Sequence, residues 1–193
     1  IVGHDHPPAY RFNAGQKMIY WIVVIGGTAV AVTGYLLMFP FYATDIAGMQ
    51  LAHAGRKGST QRPWEGHSAV APTEGGWIPV APGIEPFSAA YPVPRALATD
   101  EIGTIVDAFR DAATRARDAG FDMLELHGAH GYLIHEFLSP ITNTRTDHYG
   151  GSFEGRIRFC VDVIDAVREV WPERSPLWLR ISATDWVPGG WDV

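Results

Sequence analysis

Residues 120–159 read GFDMLELHGAHGYLIHEFLSPITNTRTDHYGGSFEGRIRF, and the order of signals in this stretch decides the fold class. Residues 121–127 form a mostly apolar run of strand length. A loop holding Pro140, Gly150 and Gly151 follows, and Ser152 then offers a side-chain oxygen to cap a helix. That helix is predicted to reach about Trp171, with Pro172 as its stop. Working toward the amino end, Thr99 or Asp100 can cap an earlier helix that Gly120 ends. Its apolar positions Ile102, Ile105, Val106, Phe109, Ala112, Ala113 and Ala116 recur at helical spacing. Working toward the carboxyl end, residues 177–182 form another strand-length run. Helix, strand, helix, strand, with strands of the buried type, predicts βα units around a parallel sheet.

The chain has 193 residues, whereas a complete (β/α)₈ barrel takes about 250, so only part of such a barrel is expected. Both ends read as cut: the first residue is Ile1, and Val193 follows Gly189, Gly190, Trp191 and Asp192 without a closing element. With 47% hydrophobic and 19% charged residues the composition is globular, but the amino-terminal fifth is far more apolar than the rest. A net charge of −6 without a basic stripe argues against nucleic-acid binding. Cys160 is the only cysteine and lies on an apolar helical face, where core packing is its expected role.

No charged residue occurs over residues 18–42, about 25 in all, which exceeds the roughly 20 needed to cross a bilayer as a helix. Tyr20, Trp21 and Tyr42 suit the two interfaces, while Arg11 and Lys17 before the run are balanced by Arg56, Lys57 and Arg62 after it, so orientation stays open. The expected organisation is therefore a tail over residues 1–17, one transmembrane helix over 18–42 and an α/β domain over 43–193. Residues 58–94 are rich in Pro, Gly and Ser and read as a long loop.

Two segments, QLAHAGRKGS at residues 50–59 and the stretch quoted first, closely resemble the old yellow enzyme family of FMN-dependent ene-reductases. PVPRALATDEI before the long match and LWLRISATDW after it extend the likeness to roughly three quarters of the chain. The resemblance implies a partial TIM barrel, about strands three to five. It also implies FMN as cofactor, NAD(P)H as co-substrate and hydride delivery to an α,β-unsaturated carbonyl compound. By family position Gln50 meets the flavin pyrimidine edge and Arg180 lies near N1 and O2, where a guanidinium favours the anion of reduced flavin. His127 and His130 match the pair that binds the substrate carbonyl oxygen, and Tyr132 matches a tyrosine that either donates the proton or packs the pocket. The residues agree, since both histidines follow a strand, at the end where barrels place their chemistry. No metal centre is expected, because the His-x-x-His spacing lacks the further ligands of a zinc motif. His53, Arg56 and Lys57 are expected to shape the loop after Gln50, and Arg145, Asp147 and Tyr149 a loop network. The family's FMN phosphate clamp lies on later strands, so flavin-ring contacts without a phosphate cradle are expected.

In front, RFNAGQKMIYW and FPFYATDIAGMQLA resemble the first transmembrane helix of a formate dehydrogenase cytochrome b (gamma) subunit, the join falling near Gln50, Leu51 and Ala52. Haem b is not expected, because no histidine lies within residues 18–42 and His53 is the only candidate nearby. The flavoenzyme half implies a cytoplasmic location and the helix a membrane one. The pairing points to a chimeric or truncated product, with a membrane-anchor fragment and a non-functional fusion as the alternatives to an enzyme. Oligomeric state stays open.

Overall fold

The computed structural model describes residues 46–66 and 68–192. The expected tail and transmembrane helix lie outside the described residues, and so does the likeness to a cytochrome helix over most of its length. Among the described residues no helix is long and apolar enough to cross a membrane.

In chain order the elements are β1 (Gly48–Leu51), β2 (Val80–Ala81), β3 (Arg95–Ala96), α1 (Thr99–Asp118), β4 (Met123–Gly128), α2 (Leu133–Leu138), α3 (Phe153–Val170) and β5 (Leu177–Ile181). β1, β4 and β5 form one parallel sheet in that spatial order. Each major strand thus lies beside the one before it, with α1 and α3 as crossovers. A doubly wound sheet reverses direction partway, whereas a barrel sector keeps advancing, and the three strands advance without reversal, as a barrel sector requires.

Side chains of a strand alternate between faces, and β4 shows which face holds the core. Leu124 and Leu126 are fully buried in one cluster with Ile102, Phe109 and Ala113 of α1 and Phe159, Val163 and Val167 of α3. Burying each large apolar side chain contributes about 1.5–3 kcal/mol, so this layer outweighs any surface ion pair. Cys160 belongs to the same cluster, and burial pushes its thiol up to about 11, in keeping with packing rather than reactivity. Met123, Glu125 and His127 must then face away from the helices.

Three local expectations need correction. The residue that caps α1 is Ala98, not Thr99 or Asp100. No side chain of Ala98 can cap; instead the Glu101 carboxylate reaches back and accepts from the Ala98 N–H at 2.8 Å. The strand begins at Met123 rather than residue 121, because the Phe121 N–H is still bound to the Ala116 carbonyl as the helix ends. Residues 58–94 are not all loop, since β2 lies within them and pairs with β3 in parallel. By contrast Ser152 does cap α3, its Oγ accepting from the Gly155 N–H at 3.1 Å. Ser152→Ala is expected to lose about 1 kcal/mol of stability. Urea midpoints would measure that loss, and an unchanged midpoint would deny the cap any weight.

Candidate active site

Register sets the site before any side-chain detail does. In a parallel pair, residues opposite one another share a face. Gln50 is opposite Glu125, which is opposite Trp178, and His127 is opposite Arg180. Gln50, Glu125, Trp178, His127 and Arg180 therefore stand on the face turned away from the helices. Gln50 and Arg180 are exposed there, while His127 retains only 5% of its accessible surface.

β4 ends at Gly128, and two residues later the backbone of His130 takes the left-handed conformation, with φ of 59°. A residue other than glycine needs support in that region. Two contacts provide it: the His130 N–H donates to Ser182 Oγ at 3.1 Å, and the His130 carbonyl accepts from Lys57 Nζ at 2.9 Å. The chain folds back so that His130 Nδ1 lies 3.3 Å from His127 Nε2. On the far side of its ring, His127 Nδ1 accepts from the Ala129 N–H at 3.3 Å, which leaves the ring proton on Nε2, facing His130. Burial is the main cause that holds the His127 imidazole below its usual pKa, followed by the charges of His130 and Arg180. His127 is accordingly a neutral donor at neutral pH.

Tyr132, the residue that caps α2, stacks edge-on against His127 with ring centroids 4.9 Å apart. The structure thus brings His127, His130 and Tyr132 together, with Arg180 beside His127 on the adjacent strand. Gln50 sits one strand away on the other side of β4, and its Nε2 donates to Glu125 Oε1. Sequence reading missed Glu125 and Trp178. Period-two counting from His127 along β4 would have found the first of them.

The loop residues also resolve. His53 Nδ1 accepts from the Gly55 N–H at 3.0 Å, so His53 shapes the turn after β1. Arg145 Nε donates to Asp147 Oδ1 at 3.0 Å, and the Tyr149 N–H donates to the same oxygen at 3.0 Å, giving the expected loop network. His135 has its Nδ1 accepting from the Gly131 N–H at 2.8 Å and its Nε2 3.0 Å from Asp185 Oδ1. Beside His130 opens a cleft of about 300 Å³ lined by Lys57, Phe87, Glu136, Ile141, Asp185 and Val187 among others.

A profile of the NADH:flavin oxidoreductase / NADH oxidase family matches residues 44–193. An NADH:flavin oxidoreductase of Gibberella zeae is 51% identical over 143 residues, 72% of this chain and 35% of that protein. An NADPH dehydrogenase of Bacillus cytotoxicus is 49% identical over 147 residues, 76% of this chain and 38% of that protein. Among solved structures, morphinone reductase in complex with tetrahydroNAD superposes with a TM-score of 0.64 at 36% identity, over 77% of this chain and 42% of the reductase. The chain therefore spans well under half the length of the relatives it matches. Strand order, the face that carries the two histidines and these likenesses agree, and the chain belongs to the NADH:flavin oxidoreductase / NADH oxidase family.

Proposed function

We propose that the chain contributes the flavin-facing middle sector of an FMN-dependent NAD(P)H oxidoreductase of ene-reductase type. The observation that carries this reading is the pair of facing nitrogens, His127 Nε2 and His130 Nδ1, on the same sheet face as Arg180. The donor set suits a flavin ring. Arg180 makes no salt bridge with an acidic side chain among the described residues, and the Gln50 amide stands on the same face to meet the ring's polar edge.

FMN, when bound and reduced by NADH or NADPH, supplies a hydride to an electron-poor alkene. The chain's own residues act on the other partner. An oxygen acceptor lodged against both histidines meets the N–H of His127 and, once His130 carries its proton on Nδ1, a second N–H from that ring. Two such donors withdraw charge from a carbonyl and polarise the conjugated C=C bond. Tyr132, whose ring packs edge-on against His127, is assigned the proton delivered to the α-carbon. The preferred substrate class is a small α,β-unsaturated carbonyl compound.

The test is to load the 193-residue chain with FMN, follow flavin fluorescence, and assay NAD(P)H-dependent reduction of 2-cyclohexen-1-one. Uptake of flavin and a loss of turnover of about 100-fold or more in His127→Ala/His130→Ala is the expected result, since removing a single preorganised donor costs about 10²–10³. No flavin uptake, or an unchanged rate in the double variant, would sink the proposal.

A further inference from the structure

Glu136 carries an ionisable group that no step above uses. It lies on α2, one turn after Tyr132, and retains 1% of its accessible surface. Its Oε1 accepts from the Arg56 N–H at 2.9 Å, across 80 residues of sequence. Its Oε2 is buried without a hydrogen-bond partner, and so is Arg56 Nε. The contact is tight. Gly55 sits at φ of 58°, and a Cβ there would fall 2.2 Å from Glu136 Oε1. The turn Gly55–Lys57 that Glu136 grips ends in the lysine whose Nζ donates to the His130 carbonyl. That ammonium also lies 4.1 Å over the Phe87 ring.

We propose that Glu136 is a positioning residue for His130: its carboxyl pins the Gly55–Lys57 turn, and the turn holds Lys57 Nζ on the His130 carbonyl. The left-handed backbone at His130 depends on that contact and on Ser182 Oγ, so the grip at Glu136 sets the direction of the His130 ring. The inference rests on the proposed role of His130 for its catalytic consequence, but the linkage itself can be read without flavin.

Charged and titratable groups surround this carboxyl and its cleft. Arg56 and Lys57 act on it from the turn, while His130, His135 and Asp185, the last paired with His135, line the same cleft as Glu136 from the segment before α2, from α2 and from the loop after β5. Burial raises the Glu136 pKa to about 8 against the weaker opposing effects of the Arg56 N–H and of Arg56 and Lys57. At neutral pH the group is a carboxylic acid. On ionisation a buried anion without a partner on Oε2 pulls on Arg56 and Lys57, the two cations whose charges act on it, and a Lys57 ammonium drawn toward it leaves the His130 carbonyl without its donor.

The experiment is NMR of the full chain from pH 6 to 10, following the Arg56 amide proton and the His130 carbonyl carbon. Both are expected to move together with a midpoint near about 8. Lys57→Met should give the His130 carbonyl its high-pH shift at every pH. Glu136→Gln keeps an oxygen for the Arg56 N–H but cannot ionise, so the alkaline transition should vanish. An unaltered His130 carbonyl in Lys57→Met would overturn the proposal. So would a transition that persists in Glu136→Gln, which would assign it to another group such as Lys57, whose own pKa is lowered mainly by burial. In FMN-loaded protein Glu136→Gln is expected to remove an alkaline loss of kcat/KM. Failure to bind FMN would defeat the proposed function and leave the NMR result standing.

Discussion

Replacing Arg145 with methionine is expected to cost about 3–5 kcal/mol of folding stability, the scale for breaking a largely buried ion pair from one side. The Arg145 side chain is 10% exposed and that of Asp147 29%, so water can replace only part of what the guanidinium supplies. One guanidinium serves several acceptors. Its Nη1 donates to the Leu97 carbonyl at 2.6 Å, just past β3, and to the Pro82 carbonyl at 3.3 Å, just past β2. Its Nη2 donates to Asp147 Oδ2 at 2.5 Å and to Thr99 Oγ1, at the start of α1, at 3.3 Å. The substitution therefore leaves the Asp147 carboxylate with only Thr99 Oγ1 and the Tyr149 N–H, takes a donor from two carbonyls, and unties the loop after α2 from the short β2–β3 pair. The hydrogen bond from Arg145, helped by Thr99 Oγ1 and the Tyr149 N–H, holds the Asp147 carboxyl well below the usual carboxylate range. A depressed folded-state pKa means that this stabilisation is present above about pH 4 and fades as acid protonates Asp147. Urea unfolding at pH 7 and pH 3 should show a large gap between wild type and Arg145→Met at the higher pH and a smaller one at the lower. Adding Asp147→Leu to Arg145→Met should recover part of the loss. A deficit under about 1 kcal/mol at pH 7 would refute the account, because that is the scale of an exposed pair.

That network shows where sequence reading works and where it stops. Arg145, Asp147 and Tyr149 lie within five positions of each other, and short polar residues between a strand and a helix signal a local network. Its remote partners, the carbonyls of Pro82 and Leu97, are backbone atoms and leave no mark in residue type. The periodic elements were legible for a related reason. α1 and α3 bury one face against a sheet, so their apolar residues must recur at helical spacing, and Ser152 advertises its cap by side-chain chemistry. Ala98 could not, because there the capping oxygen comes from Glu101, three residues on. The histidine pair was legible as a pattern after a strand. The facts that Gln50 engages Glu125, that Lys57 meets His130, and that His135 meets Asp185 depend on register and on segments 50 to 75 residues apart.

Stability of the wild-type chain relative to Glu136→Gln should fall with rising pH between about 4.5 and 8, a comparison in which the opposite contribution of the buried histidines His53, His127 and His135, whose pKa values are lowered mainly by burial, cancels. The sign follows from proton counting. An acid whose folded-state pKa is raised holds its proton in the native state across a window in which the unfolded chain releases it, so each pH step there favours unfolding. For Glu136 the window runs from the ordinary value of 4.5 to about 8. At roughly 1.4 kcal/mol per unit, the penalty approaches about 4 kcal/mol at the top of the window, an upper figure because the surroundings can relax toward the ion. Glutamine is neutral throughout, nearly isosteric, and presents an oxygen to the Arg56 N–H, so it keeps the grip on the Gly55–Lys57 turn and omits the titration. The variant is thus expected to match wild type near pH 5 and to exceed it by a few kcal/mol near pH 8, as read from urea midpoints at several pH values. Parallel curves for the two proteins would show that the carboxyl is not held protonated. If the curves diverge as expected, a more stable neutral amide was within reach of a single substitution, and the acid at this position is then explained by what its ionisation does to Lys57 and His130 rather than by what it adds to the fold.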